Sequence, residues 1–469
     1  MIDRGVGAKD AARATPGRAA YLALLAVTSL GTISSTIMSA PINEIAKTVG
    51  ATERGIVLAV SAFTVAMVFT SPAAGWLADR FGPRTYLFAS LVLMIIGQAM
   101  AGLSTDLTTL VAARTVQGIA CSGIPACVQY LLSIHWPHQR RRSMTAWASA
   151  IGVGQAIGPV TGGAVAQFFG WRWVFGAAAL VVLAVLAVLT RALPTQHSAP
   201  TVALMDLRAL TALTVGAGLL AVGLTGIGQG QVGPSAVLTG VAVIVLATVL
   251  RPGRNPAVLG AVGRDPVYAV STLCAATAMA TMGVTLVSVP VYLGTTLHLT
   301  PGGIGASTIA LAIGMTTFAP VAGRISGRVG VRRTLAGGLA LIVLTTTGLG
   351  LAEGRGQDTS ILPALLVLLF GIGCAIATVQ SMSAMTLLDV AGGSGSAMGV
   401  HNVGRFAGLC AGYAWLALAL PLDRPMVVHL GSAGLALITL LALTITASRR
   451  THLTRRRPTL EERPAPTSG

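Results

Sequence analysis

GWLADRFGPR, Gly75 to Arg84, is a short polar hinge between two long apolar runs. Its outline returns in the second half of the chain as GRISGRVGVR, Gly323 to Arg332. Gly75 answers Gly323, Arg80 answers Arg328, Gly82 answers Gly330 and Arg84 answers Arg332. Asp79 has no counterpart, because Gly327 stands in its place. A chain that uses one corner twice, between blocks of the same kind, is built from two related halves.

The blocks on either side of the hinge set the class. Charged residues make up 10% of the chain, against roughly 25% in a soluble domain. Apolar residues reach 54% and lie in long runs. A helix rises about 1.5 Å per residue, so about 20 apolar residues cross the hydrocarbon core. The chain therefore reads as an all-α polytopic membrane protein. A transmembrane barrel would show alternating strands of about 10 residues instead. The net charge of +17 does not indicate nucleic acid, because the arginines sit in short loops and form no continuous basic face. Five cysteines, all inside apolar runs and without CxxC spacing, imply neither a disulfide framework nor a metal site. No cofactor is expected.

The hydropathy pattern predicts about fourteen spans. Counting Lys and Arg in alternate loops leaves only Lys47, Arg54, Arg172, Arg355 and Arg424 outside. The positive-inside rule then puts both termini in the cytoplasm. The basic N-terminal stretch precedes an apolar run too long for a cleaved signal, so a retained first helix is expected. A second repeat supports the halves. Gly154, Gly158 and Gly162 recur at four-residue steps, as do Gly404, Gly408 and Gly412, with nearly the separation of the two hinges. The expected organisation is a cytoplasmic tail 1–19, a six-helix bundle 20–191 and a linker 192–264 carrying two extra membrane helices. A second bundle 265–447 and a disordered cytoplasmic tail 448–469 follow.

Taken together, these stretches resemble the major facilitator superfamily. GWLADRFGPR is similar to that family's loop between helices two and three. LVAARTVQGIA, Leu110 to Ala120, is similar to its fourth-helix motif, and GQAIGPVTGG, Gly154 to Gly163, to its antiporter-type fifth helix. With two additional central helices, the chain resembles the fourteen-helix drug:proton antiporters. The resemblance implies a small-molecule substrate, proton exchange, a surrounding lipid bilayer and a bacterial inner-membrane location. A monomer is expected. In one respect the chain departs from the pattern: aligned on Pro41, Thr32 stands where the family usually has a first-helix Asp.

Candidate functional residues follow from the chemistry of each motif. Gly75, Asp79, Arg80, Gly82 and Arg84 are read as a conformational latch, with Asp79 accepting hydrogen bonds at a neighbouring helix end. Arg114, with Gln117, lies inside an apolar block and stays charged, so it should face the bundle or a cavity. It would either act electrostatically or tie backbone carbonyls together. In the fifth span Gly154, Gly158, Gly162 and Gly163 admit close helix approach, and Pro159 removes a helix hydrogen bond. Thr28, Thr32, Ser35 and Ser39 share one face of the first helix and could line a cavity, as could Gln380, Asn402 and Arg405. The acids offer no clear midplane proton carrier: Glu353 reads as an outer-loop residue, and Glu44 as the mouth of an outer cavity. Coupling could rest on Glu44, Asp79 or His401. Export of amphipathic compounds is the first reading, and metabolite symport or facilitation on the same fold the second. An integral membrane enzyme is disfavoured, because the seven histidines are scattered and no HExxH occurs.

Overall fold

Without water in the hydrocarbon core, every backbone N–H must find its partner within its own segment, so long apolar runs fold as helices. The computed structural model describes residues 16–38, 41–51, 53–194, 207–228, 230–249, 265–299, 301–356, 359–391, 395–419 and 424–455. Among them are fourteen long helices and no strand. The first six are α1 (Arg18–Thr36), α2 (Glu53–Phe81), α3 (Pro83–Gly102), α4 (Leu107–His135), α5 (Arg140–Phe169) and α6 (Trp171–Ala192). An extra pair follows, α7 (Leu207–Gly228) and α8 (Val232–Val249). The last six are α9 (Pro266–Thr295), α10 (Pro301–Val329), α11 (Val331–Glu353), α12 (Leu362–Ala391), α13 (Gly395–Ala419) and α14 (Pro425–Arg455). A short helix, Ile42–Thr48, lies between α1 and α2.

Twelve helices are long and apolar enough to cross a membrane. The two that fall short, α5 and α13, carry the glycine stripes and several polar residues, which dilute their apolar content. The glycines also set how these helices pack. Gly154 meets the backbone of Ser29, Gly158 the side chain of Thr36 and Gly162 the carbonyl of Ile37, so α5 runs parallel to α1 in close contact. Gly404, Gly408 and Gly412 meet Thr272, Ala276 and Ala280 in the same ascending order, so α13 runs parallel to α9. Both stripes let backbones approach where a side chain would hold them apart. The face where α1, α5, α9 and α13 begin is called the near face below, and the opposite one the far face.

Several expectations are corrected. The hinge Gly75–Arg84 is mostly helix: α2 continues through Phe81, and α3 starts at Pro83. The turn is confined to Gly82, at φ 85°, and Gly330 at φ 91° does the same in the repeat. Proline at the first position of α3 costs no hydrogen bond there. The fourth span is interrupted at Ser122–Gly123, between segments Leu107–Cys121 and Ile124–His135. Pro125 cannot donate back to Cys121, which favours a break at that point. The segment expected to be disordered after Ser448 begins as helix, since α14 reaches Arg455. In the connection between α3 and α4, Asp106 caps α4 by accepting from the Thr109 N–H at 2.9 Å. The backbone hydrogen bond from Thr109 leads the causes that hold its carboxyl below the usual carboxylate value.

Glu353 is the largest surprise. It is not a loop residue but the last residue of α11, 4% exposed, with His429 of α14 at 2.9 Å. Gly350, one turn earlier, lets Met426 and His429 of α14 come close. The pair ties α11 to α14 near the far face. Leaving a buried polar group without its hydrogen-bond partner costs about 1–3 kcal/mol. His429→Ala is therefore expected to lower the thermal midpoint of the detergent-solubilised protein clearly, as followed by fluorescence-detected melting. An unshifted midpoint would show that the pair carries no stability.

The extra pair is not a passive insertion. Helices α7 and α8 pack on each other, and α7 lies against both α2 and α13, covering the seam between the first and last six helices on one side. On the other side α5 packs directly against α10.

Candidate functional site

The two sets of six helices touch along the near half of the molecule and part along the far half. Near-face contact begins with Arg140 of α5 and Asp389 of α12, 2.6 Å apart and both partly exposed. Farther in, a Cβ at Gly323 would stand 2.6 Å from Thr145 Cγ2, and one at Gly327 2.7 Å from Arg141 Nη1. The Ser149 hydroxyl donates to the Thr316 carbonyl at 2.9 Å. On the second seam, a Cβ at Gly399 of α13 would stand 3.2 Å from the Gly75 Cα of α2. The repeated hinge glycines thus lie at the two seams, Gly75 against α13 and Gly323 against α5.

This explains the position of Asp79. α2 descends to the near face while α13 leaves it, so four residues beyond Gly75 lie level with four before Gly399. Asp79, half-buried, stands at the level of Gly395, the first residue of α13. A helix N-terminus carries about half a positive charge and favours an anion. Arg80 and Arg84 are engaged elsewhere. The first stacks on Trp76 of its own helix at 5.3 Å. The second donates from Nε to the Leu193 carbonyl at 3.2 Å and stacks on Phe88.

Above the near-face seal lies a cavity of about 660 Å³. Its walls come from α1, α2, α4, α5, α7, α9 and α13, and it extends from mid-helix toward the far face. Phe63, Met67, Ile151, Met279, Met282, Leu286 and Phe406 make it apolar; Thr28, Thr32, Ser35, Ser61, Gln155, Thr225 and Tyr413 supply polar points. Three of the first-helix hydroxyls also donate to a backbone carbonyl one turn back: Thr28 to Leu24, Thr32 to Thr28 and Ser35 to Thr32. These groups are satisfied without a ligand and remain able to accept from one. Ser39 lies outside the described residues.

Arg405 and Trp147 close the near end of the cavity. The Arg405 guanidinium carbon lies 5.2 Å from the Trp147 ring centre and 5.4 Å from that of Phe406. Its Nη1 donates to Asn402 Oδ1 at 3.0 Å. Behind it, His401 Nδ1 sits 3.0 Å from the Thr272 hydroxyl. A mid-membrane arginine costs about 2.5–3.5 kcal/mol on insertion scales. A desolvated aromatic contact returns about 2 kcal/mol.

Arg114 does not reach the cavity. It is buried one layer out, donating from Nη1 to the Ser34 carbonyl at 2.8 Å and to Gln117 Oε1 at 2.7 Å. Gln117 in turn donates to the Gly97 carbonyl and to Gln98 Oε1, and Gln98 donates to the Ser34 hydroxyl. The network ties α1, α3 and α4 together. Of the two readings open from sequence, the geometry is that of the backbone tie. Among the described residues Arg114 has no carboxylate partner.

The remaining candidates divide. Glu44 is exposed on the short helix near the far mouth; its neighbour Ile42, not Glu44, lines the cavity. Asn402 serves Arg405 and does not line the wall. Gln380 is buried in α12 with neither amide atom hydrogen-bonded among the described residues. Gly163 and Pro159 continue the α5 stripe toward the far face, half-buried. Reading the sequence did not identify Trp147, Gln155, Met282 or Tyr413. Only Gln155, a lone amide inside the glycine stripe, carried a signal that could have marked it.

The exposed Arg140–Asp389 pair gives a contrast with the buried seam. Surface ion pairs contribute about 0.2–1 kcal/mol, so Asp389→Asn is expected to change the transport rate less than about fivefold. A complete loss in vesicles would assign the pair a larger role than its exposure allows.

Comparison with known proteins agrees with this architecture. Residues 22–413 match the Major Facilitator Superfamily. Putative multidrug resistance protein MdtD from Salmonella heidelberg is 26% identical over 369 residues, covering 76% of each chain. The Salmonella typhi protein of the same name matches equally, and that of Salmonella typhimurium is 25% identical over 373 residues. Among solved structures, the human organic anion transporter MFSD10 (TETRAN) superposes with a TM-score of 0.65 at 17% identity. The match covers 91% of this chain and 99% of that one, a likeness of fold. The chain is a multi-pass membrane transporter and not an enzyme, and it belongs to the Major Facilitator Superfamily.

Proposed function

We propose that the protein exports small amphipathic compounds by alternating access, in exchange for protons, with its near face toward the cytoplasm of a bacterial inner membrane. The observation that carries this reading is the cavity between the two six-helix groups, closed at the near face and extending toward the far one. Basic residues crowd the near face at Arg80, Arg84, Arg140 to Arg142, Arg324, Arg328, Arg332 and Arg333, which supports a cytoplasmic side. On that assignment the structure is outward-facing. The two groups, 20–191 and 265–447, are the bodies that rock, and all fourteen long helices cross the bilayer.

The wall supports the substrate class. Apolar side chains with a few hydroxyls and one amide suit a compound with a greasy body and a few polar atoms. The name of the Salmonella relatives points the same way. Cations of the wall aside, no carboxylate lines the cavity among the described residues. The protonatable groups nearest the moving parts are Asp79 at the seam and His401 behind Arg405. A proton bound at Asp79 would weaken its attraction to the start of α13 and favour opening at the near face.

A susceptibility panel in an efflux-deficient host, paired with reconstituted vesicles, tests this. The intact protein should raise tolerance to at least one amphipathic compound, and Asp79→Asn should raise it less. Substrate addition should move protons across the vesicle membrane. Unchanged susceptibility throughout would favour metabolite transport, and substrate flux without proton movement would exclude exchange.

A further inference from the structure

We propose that the cavity selects amphipathic organic anions, with the ligand's carboxylate or sulfonate set against Arg405 and its apolar body against Met279, Met282 and Phe63. The proposal rests on the reading of the cavity as the transport site and adds the sign of the charge it takes.

Arg405 is solvated without being neutralised. The side chain is 3% exposed, yet it lines the cavity. Its Nε has no hydrogen-bond partner among the described residues, and Nη1 is held by a neutral amide, Asn402. Two aromatic faces flank it. These groups solvate a cation, but none of them cancels its charge. A buried ion without a counter-ion is what an incoming anion improves and an incoming ammonium worsens. A planar guanidinium also matches a carboxylate with two parallel hydrogen bonds.

Among the described residues no carboxylate takes that place. Among the described residues, Asp79, Asp265 and Asp389 stand at the near face, and Glu44 and Asp106 at the far face. Glu353 is occupied by His429. None of them lines the cavity.

A second cation has the same sign. The Arg114 guanidinium lies 4.5 Å from the Phe63 ring, whose side chain forms part of the wall. It too lacks a carboxylate partner among the described residues. Two uncancelled positive charges around a low-dielectric space make its potential positive, and apolar walls concentrate that field. The volume of about 660 Å³ suits a single drug-sized molecule.

Three probes with one ring system separate charge from hydrophobicity: 1-pyrenebutyrate, 1-pyrenebutanol and 1-pyrenebutylamine. Binding to the purified full-length protein in detergent is followed by fluorescence titration. The butyrate is expected to bind about tenfold more tightly than the butylamine, with the alcohol between them. Arg405→Gln should bring the butyrate to the level of the alcohol, leave the alcohol within about twofold and raise the amine, and Arg405→Lys should keep part of the anion preference. Butylamine binding as well as butyrate to the unaltered protein would overturn the proposal, and that comparison needs no variant to fold. An equal loss of all three probes in Arg405→Gln would overturn it as well. Vesicle flux keeps the two readings apart. Anion-selective binding without flux would sink the transport reading alone, and flux that favours the amine would sink the anion site alone.

Discussion

Gly158→Leu is expected to cut transport about tenfold or more while leaving the protein in the membrane, since overpacking a tight contact costs about 1–3 kcal/mol. Gly158 faces Thr36 of α1, between contacts at Gly154 and Gly162 that bring the α5 backbone against α1 carbonyls. A leucine side chain at the middle of this stripe forces the helices apart. α1 carries Thr28, Thr32 and Ser35, and α5 carries Trp147, Ile151 and Gln155, so their separation sets the shape of the cavity. Insertion depends on apolar length instead and should persist. Membrane quantity by immunoblot and flux in vesicles measure the two effects separately. Full transport by Gly158→Leu would show that close approach of α1 and α5 is not required.

Asp79→Asn should lower transport about three- to tenfold, again with normal insertion. Asp79 is half-buried at the level of the first residue of α13, where an anion beside a helix N-terminus contributes about 0.3–1 kcal/mol when exposed and up to about 2 kcal/mol when partly buried. Removing the charge weakens the near-face seal and shifts the balance between the two conformations by that amount. The corresponding change at the second hinge cannot be made, since Gly327 has no charge to lose. Gly327→Asp would instead place a carboxylate beside Arg141 and is expected to strengthen the second seam. Equal transport by the unaltered protein and Asp79→Asn would assign the motif to topology alone.

Much of the fold was legible because membrane helices announce themselves in composition. The paired glycine stripes also recur as matching helix contacts, α5 on α1 and α13 on α9, since close packing in lipid demands small residues at fixed spacing. What the sequence did not show depends on convergence. Glu353 sits where its apolar run fades into glycine, and only His429, far along the chain, makes it a buried residue. Arg114 was visible as a buried cation, but its partners come from α1 and α4, with α3 behind them, and no spacing rule connects these. Trp147 and Tyr413 look like ordinary span residues until α5 and α13 bring them to one cavity. The turn at Gly82 was overextended in the other direction, because polar residues at the end of a helix look the same as a loop.

Alternating access requires the near-face and far-face openings to exchange. Spin labels at Arg141 and Arg328 report the near face across the two halves, and labels at Glu44 and His298 report the far face. All five native cysteines are buried, so labelling can be directed to introduced positions. Pulsed electron resonance distances in lipid vesicles, with and without a transported compound and a pH gradient, give the answer. The near-face distance is expected to lengthen as the far-face distance shortens. Distances that stay fixed, or change in the same sense, under conditions where flux is measured would contradict it.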